Sequence, residues 1–175
     1  MGDKLPKRKN MRLKQHNYSE GGAYFVTICT KDRARILSKV VKLSDESRGD
    51  IFKVELSDIG EIIERQLLSS ESIPGVKIDR YVIMPDHLHA LILLNPKEYS
   101  LKANDAQMVS SPANEILPRV ISSFKRLCGR VIGENIFQRG YMDHIVRDKE
   151  DYETRVKYIF ENPIKWFYEK LDAIR

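Results

Sequence analysis

Two apolar runs separated by a two-residue break dominate the middle of this 175-residue chain. The runs cover residues 76–84 and 87–94, and Pro85-Asp86 lies between them. Each run has the length of a strand rather than of a helix, and a proline followed by an acid marks a tight turn. The pattern therefore predicts an antiparallel hairpin, which commits the chain to a fold with an antiparallel sheet.

The flanking segments predict the remaining strands and helices. Predicted strands cover residues 23–30, 50–56 and 136–146, and predicted helices cover residues 58–70, 114–132 and 148–162. The first helix is predicted to begin at a capping box led by Asp58, and the last to begin at Asp148 and end before Pro163. The apolar stripe of the middle helix comprises Leu117, Val120, Ile121, Phe124, Leu127, Cys128 and Val131.

The order of these elements predicts the fold class and the domain organisation. It indicates an α+β fold, with a central, mostly antiparallel sheet of about 4–5 strands flanked by helices. Residues 1–16 form a basic segment without apolar periodicity, which predicts a mobile arm. Residues 17–175 are predicted to form a single domain, in which residues 96–113 are a flexible surface loop.

Charge and composition narrow the classes of function. The net charge of +5 and the pI of about 9.1 favour a nucleic-acid partner. No stretch approaches the roughly 20 apolar residues of a membrane helix, and no export signal is visible. Cys29 and Cys128 match no metal-binding spacing. We therefore expect a cytoplasmic protein that does not bind membranes.

A histidine pair follows the break between the two apolar runs. Side chains alternate between the faces of a strand, so His87 and His89 share one face, while Leu88 and Ala90 take the other. Two neighbouring imidazoles are unfavourable in a hydrophobic core because each needs polar partners. Neutral imidazole is, in contrast, a good metal ligand. The pair indicates a metal site that needs further ligands, and two histidines with only local hydrogen bonds remain the alternative.

The last predicted helix contains a candidate nucleophile. Tyr158 and Asn162 are four residues apart and lie on one helix face. A divalent metal can assist attack by a phenol because it polarises the phosphate, and an amide oxygen suits a hard cation such as Mg²⁺ or Mn²⁺. Packing and capping roles remain open for both residues, and Tyr141, Tyr152 and Tyr168 are rival nucleophiles that spacing does not exclude.

Four segments together resemble the HUH single-strand endonucleases of the IS200-like and REP-associated tyrosine transposase type. YVIMPDHLHALILL is similar to the family's histidine-hydrophobic-histidine motif, and VKYIFENPIKW is similar to its single-tyrosine helix. GGAYFVTICTKDR and FQRGYMDHIVRDKEDY resemble further parts of the family. The resemblance covers about residues 10–168, and the order and spacing of the segments make it specific.

The resemblance implies a ferredoxin-like HUH endonuclease fold with a metal site on the central sheet. It makes His87 and His89 metal ligands, Tyr158 the catalytic nucleophile and Asn162 a third ligand, with Mg²⁺ or Mn²⁺ as the cofactor. Asp86 departs from the asparagine that is frequent at this position in the family. The implied function is a metal-dependent endonuclease and transposase that cleaves and rejoins single-stranded DNA through a 5′-phosphotyrosine intermediate.

The resemblance also implies a substrate and a setting. The expected partner is single-stranded DNA that folds as a hairpin, like palindromic repeats between bacterial genes, and the protein is expected to be nucleoid-associated and to act as a monomer or homodimer. Candidate DNA contacts are Arg12, Lys14, Lys125, Arg126, Arg130, Arg139 and Arg147, each of which could instead be ordinary surface charge. The alternative functions are a catalytically silent domesticated protein that binds DNA hairpins and a metalloprotein that acts on a small substrate.

Overall fold

The predicted hairpin forms the centre of the fold. The computed structural model describes residues 21–45, 49–102 and 113–172. Its strands are β1 (Gly22–Cys29), β2 (Ser38–Asp45), β3 (Gly49–Leu56), β4 (Val76–Ile83), β5 (His87–Leu94) and β6 (Met142–Val146). Its helices are α1 (Asp58–Ser69), α2 (Pro96–Lys102), α3 (Ala113–Ile132) and α4 (Lys149–Asp172). In this described part of the chain, no helix is long and apolar enough to cross a membrane.

Four strands form one sheet in the order β4-β5-β1-β6, and each neighbouring pair is antiparallel. The two central strands, β1 and β5, pair Val26 with Ala90 and Thr27 with His89. β2 and β3 form a separate antiparallel ribbon. The predicted α+β class, with a mostly antiparallel sheet flanked by helices, is confirmed.

The two faces of the four-stranded sheet carry different layers. Alternation along β1 places Tyr24, Val26 and Ile28 on one face, where they join residues of α1 and α3 in the main hydrophobic core. Phe25 lies on the other face and packs against Ile159 of α4. The sheet therefore separates a core covered by two helices from a smaller layer covered by α4.

The start of α1 differs by one residue from its prediction. Ser57, and not Asp58, is the N-cap, since its hydroxyl accepts a hydrogen bond from the backbone N–H of Gly60 at 3.0 Å. The same hydroxyl donates to the carbonyl oxygen of Ile36 at 2.6 Å, which ties the helix start to the preceding chain. Gly60 permits this close approach, because a Cβ there would collide with the carbonyl oxygen of Leu37.

Part of the predicted loop 96–113 is helical instead. Pro96 occupies the start of α2, and the side-chain amide of Asn95 donates to Oε1 of Glu98 at 2.8 Å. Proline at the first helical position, with asparagine before it and an acid two residues after it, stabilises a helix start. The loop prediction was therefore wrong for α2. The remaining residues 103–112, and the predicted arm 1–16 with its Arg12 and Lys14, lie outside the described residues.

The last helix continues through Pro163 to Asp172, so its predicted end at Asn162 was wrong. A proline inside a helix removes one hydrogen bond and costs about 3 kcal/mol. Packing after the proline offsets part of this cost, because the ring of Phe167 contacts that of Phe52 in β3 with centroids 5.3 Å apart. The start of α4 is as predicted.

Smaller differences concern β2, β6 and α3. β2 was not predicted, and β6 covers only the last five residues of the predicted strand 136–146. Phe137, in the first part of that segment, makes an isolated bridge with Thr30 instead. Val131 was wrongly placed in the apolar stripe of α3. It is 55% exposed because it lies in the last turn of the helix, beyond the core.

Candidate active site

β5 places His87 and His89 on the face of the sheet that α4 covers. Their Nε2 atoms are 3.1 Å apart, and both side chains are buried. Leu88 and Ala90, between and beside them, belong to the main core on the opposite face. The two imidazoles converge because residues two apart on a strand point the same way.

The outer nitrogen of each imidazole has a protein partner. Nδ1 of His87 donates to Oδ1 of Asp86 at 2.6 Å, because a carboxylate can only accept. Nδ1 of His89 is 2.8 Å from the hydroxyl oxygen of Thr27. Asp86 also pairs with Nε of Arg33 at 3.2 Å. With the hydrogen on Nδ1, the lone pair of His87 lies on Nε2, which faces Nε2 of His89, and a carboxylate often supports a metal-binding histidine in this way.

Burial keeps the histidine pair uncharged. It lowers the pKa of His89 to about 3, with a further lowering from the neighbouring His87. Burial also lowers the pKa of His87, although the hydrogen bond and charge of Asp86 oppose that change. Both imidazoles are therefore neutral at neutral pH, the form that binds metals.

Asn162 approaches the pair from α4. Its side chain is buried and forms a hydrogen bond with His87. Although the next residue is proline, α4 continues through it, so Asn162 stays within the helix. The structure thus brings together the three residues predicted as metal ligands.

This donor set fits a divalent cation. Two ligand atoms about 2.1 Å from one ion and at about a right angle lie about 3.0 Å apart, close to the separation of the two Nε2 atoms. Within residues 21–45, 49–102 and 113–172, no group of three or more His, Cys, Asp or Glu side chains could hold a metal. A third protein ligand there would need another residue type, and the amide oxygen of Asn162 suits Mg²⁺ or Mn²⁺.

Tyr158 lies beside the histidine pair. Its ring centroid is 5.1 Å from that of His89 and 5.7 Å from that of Phe25. The side chain is 38% exposed, so a substrate can reach it without unfolding the helix. The phenol and the imidazoles in this arrangement come from one chain.

One cavity of about 490 Å³ joins these groups. It is lined by Phe25, Thr27, Arg33, His87, His89, Met142, Arg155, Tyr158, Asn162, Lys165, Trp166 and Glu169. Three of the lining residues are cations and one is an acid. A cavity with this charge balance and an exposed phenol can accept an anionic group beside the nucleophile.

Comparisons with known proteins point to one family. A REP-associated tyrosine transposase of Escherichia coli is 24% identical over 148 residues, which cover 85% of this chain and 70% of that protein. An uncharacterized protein of Haemophilus influenzae is 28% identical over 178 residues, with 94% and 92% coverage. The solved structure of a REP-associated tyrosine transposase bound to a REP hairpin shares the fold, with a TM-score of 0.57, 20% identity and coverage of 89% and 74%. No protein-family model matches the chain.

The chain is thus similar in sequence to a REP-associated tyrosine transposase, and it shares the fold of one whose structure is solved. This confirms the resemblance inferred from the sequence. The two segments that carried most of that resemblance to the REP-associated tyrosine transposases meet in space, since residues 81–94 form the β4-β5 hairpin and residues 156–166 form the middle of α4.

The structure separates Tyr158 from its rivals among the other tyrosines. Tyr152 donates its hydroxyl hydrogen to Oδ2 of Asp79 at 2.5 Å, and this hydrogen bond raises the pKa of the phenol. Tyr168 packs against Phe52 with centroids 5.7 Å apart. Neither these two nor Tyr141 lines the cavity described above. Tyr158 is thus the tyrosine that the fold presents to the histidines.

Sequence reasoning missed Arg33, Arg155, Lys165 and Trp166, which line the cavity. Three of them lie on α4 at helical spacing from Tyr158 and Asn162, which is the signal that could have found them. Because the helix was predicted to end at Asn162, Lys165 and Trp166 were not considered part of it.

The predicted DNA contacts occupy several places. Lys125 is half-buried, and its ammonium donates to the carbonyl oxygens of Gln138 and Gly140 at 2.8 and 2.7 Å, so it holds a loop in place. Arg126 and Arg130 are exposed on α3, on the face of the sheet opposite the histidines, and Arg139 is exposed in the loop before β6. Arg147 is exposed beyond Val146, which pairs with Ala23 at the end of β1 remote from His87.

Proposed function

We propose that this protein is a metal-dependent single-strand DNA endonuclease of transposase type, with Tyr158 as its nucleophile. One observation carries the proposal: the phenol of Tyr158 and the imidazoles of His87 and His89 face one cavity within a single chain. That arrangement suits in-line attack on a phosphodiester better than chemistry on a small neutral substrate.

The reaction would be a transesterification. The bond from Oη of Tyr158 to phosphorus forms as the bond to the 3′ oxygen breaks, the phenolic proton leaves, and the 3′ oxygen gains a proton. The products are a 5′-phosphotyrosine and a 3′ hydroxyl, and one ester replaces another, so a 3′ hydroxyl can reverse the attack and rejoin strands.

The residues around the nucleophile would orient it and hold the metal. His87, His89 and Asn162 would bind Mg²⁺ or Mn²⁺, which when bound neutralises charge on the phosphate oxygens. Asp86 and Thr27 would hold the imidazole rings in a fixed orientation through their hydrogen bonds to the Nδ1 atoms.

We propose hairpin-forming single-stranded DNA as the substrate. A structural relative is described as bound to a REP hairpin. The net charge of +5 and the exposed Arg126, Arg130, Arg139 and Arg147 would support contacts to phosphates outside the cavity. Since His87, His89, Asn162 and Tyr158 face one cavity within a single chain, we propose that a monomer suffices for cleavage.

The test is a covalent-adduct assay with a hairpin oligonucleotide that carries a single-stranded tail. We expect a protein-DNA adduct with Mg²⁺ or Mn²⁺ and none with EDTA. Tyr158→Phe should remove the adduct, by at least about 1,000-fold, while hairpin affinity changes little. Tyr152→Phe is the matched control on the same helix and should still form the adduct.

Two outcomes would contradict the proposal. An adduct that survives in Tyr158→Phe would assign the nucleophile to another residue. Hairpin binding without any adduct in the unmodified protein would support a domesticated DNA-binding protein that does not cut.

A further inference from the structure

Arg155 lies one helical turn before Tyr158 on α4. Both side chains line the same cavity, because residues three apart share a helix face. Neither the comparisons nor the metal site assigns this arginine a role.

The guanidinium group of Arg155 forms an ion pair with Asp151, one helical turn before it. Its Nε lies 3.0 Å from Oδ1 of Asp151, and one amino group lies 3.3 Å from Nε2 of His144. Asp151 is itself fixed, since its other oxygen lies 2.7 Å from the same His144 nitrogen. Because a carboxylate can only accept, the hydrogen on Nε2 of His144 points to Asp151, and the ion pair with Asp151 is what orients the planar guanidinium group before any ligand arrives.

A shared aromatic ring brings Arg155 to the reacting groups. The carbon at the centre of its guanidinium lies 5.6 Å from the ring centroid of Phe25. The same ring stacks on His89 at 5.1 Å and contacts the ring of Tyr158 at 5.7 Å. The cation, the imidazole and the phenol thus surround one side chain.

The second amino group of Arg155 has no protein partner among residues 21–45, 49–102 and 113–172. Its two N–H donors are therefore available to a ligand in the cavity. The other two cations there are more exposed: the side chains of Arg33 and Lys165 are 49% and 52% exposed, against 28% for Arg155.

We propose that Arg155 is a further catalytic residue, which donates hydrogen bonds to a non-bridging oxygen of the scissile phosphodiester. Asp151 is then a positioning residue that acts through Arg155. As the bond from Tyr158 to phosphorus forms and the bond to the 3′ oxygen breaks, negative charge gathers on the non-bridging oxygens. A donor already in place stabilises that charge without reorganising. This inference rests on the proposed function.

The first test compares single-turnover rates of adduct formation. Arg155→Ala should slow the step by about 100-fold and weaken hairpin binding by less than about threefold. Arg155→Lys keeps the charge but loses the planar fork, so it should remain at least about tenfold slow. Lys157→Ala is the matched control. It removes one cation from an exposed position two residues after Arg155 and should leave the rate unchanged.

The second test separates contact from packing. A methylphosphonate at the scissile position replaces one non-bridging oxygen, and its two diastereomers replace different oxygens. With the unmodified protein both should react slowly. With Arg155→Ala, one diastereomer should show little further loss relative to the ordinary phosphodiester, because the contact is already missing.

The outcomes distinguish this inference from the proposed function. An unmodified protein that forms no adduct contradicts the function, and the role of Arg155 with it. Normal adduct formation by both Arg155 variants overturns the role of Arg155 alone. The role of Arg155 is also overturned if, for both diastereomers, the rate loss from the methylphosphonate simply multiplies the rate loss from the Arg155 variant. That result would mean that Arg155 only supports the fold.

Discussion

The two faces of the four-stranded sheet bury different kinds of side chain from the same strands. On one face, Tyr24, Val26 and Ile28 are fully buried in an apolar core under two helices. On the other, α4 covers the sheet, and polar groups such as Thr27 and His89 lie buried beneath it. A strand with period two can therefore stabilise the fold with one set of residues and hold reactive groups with the other.

This comparison explains why the reactive face can keep costly groups. Buried neutral imidazoles without partners destabilise a fold, and here Asp86 and Thr27 supply their hydrogen bonds. The opposite face contributes most of the buried apolar surface and hence most of the hydrophobic stabilisation. Changes on the two faces should consequently separate activity from stability.

The largest expected effect is on the reactive face. His89→Ala should reduce adduct formation at least about 1,000-fold, because metal polarisation is worth several kcal/mol and each 1.4 kcal/mol is about tenfold. Single-turnover assays at saturating Mn²⁺ measure the rate, and isothermal titration measures Mn²⁺ binding. A variant that keeps its rate and its Mn²⁺ affinity would show that the histidine pair is structural.

Phe124→Ala tests the core face. Phe124 is 1% exposed and packs against Phe137, so the change should lower the free energy of unfolding by about 3 to 5 kcal/mol. Adduct formation per folded molecule should stay within about twofold at a temperature where the variant is folded. Phe160→Ala is the control, because that side chain is 66% exposed and its loss should change stability by less than about 0.5 kcal/mol. A large rate loss in Phe124→Ala would break the separation between the faces.

The smallest expected effect is a pH dependence of stability. Burial lowers the pKa of both active-site histidines, to about 3 for His89, while an unfolded histidine titrates near about 6.5. Below about pH 6.5 the unfolded chain binds protons that the folded chain does not, so this stability is present above that pH and is lost as pH falls.

Denaturant unfolding in EDTA between pH 7 and 5.5 measures this effect. The free energy of unfolding should fall by up to about 1.4 kcal/mol per pH unit for each histidine. The double variant His87→Gln, His89→Gln should show a flatter profile. An identical slope in that variant would assign the dependence to other groups.

Local periodicity made much of this molecule predictable. The hairpin, the shared face of His87 and His89, and the shared helix face of Tyr158 and Asn162 all follow from spacings of two and four residues. Asn95 and Pro96 also indicate a helix start, although the loop prediction overlooked it. The family resemblance added the roles that these spacings could not assign.

Non-local packing decided the rest. The sequence determined which residues share an element face, because that depends on backbone geometry over a few residues. Only the tertiary structure decided that α4 runs through Pro163, that Tyr158 rather than Tyr152 meets the histidines, and that Lys125 holds a loop. Each of these depends on contacts between distant segments, whose packing outweighs local propensity and which no spacing along the chain encodes.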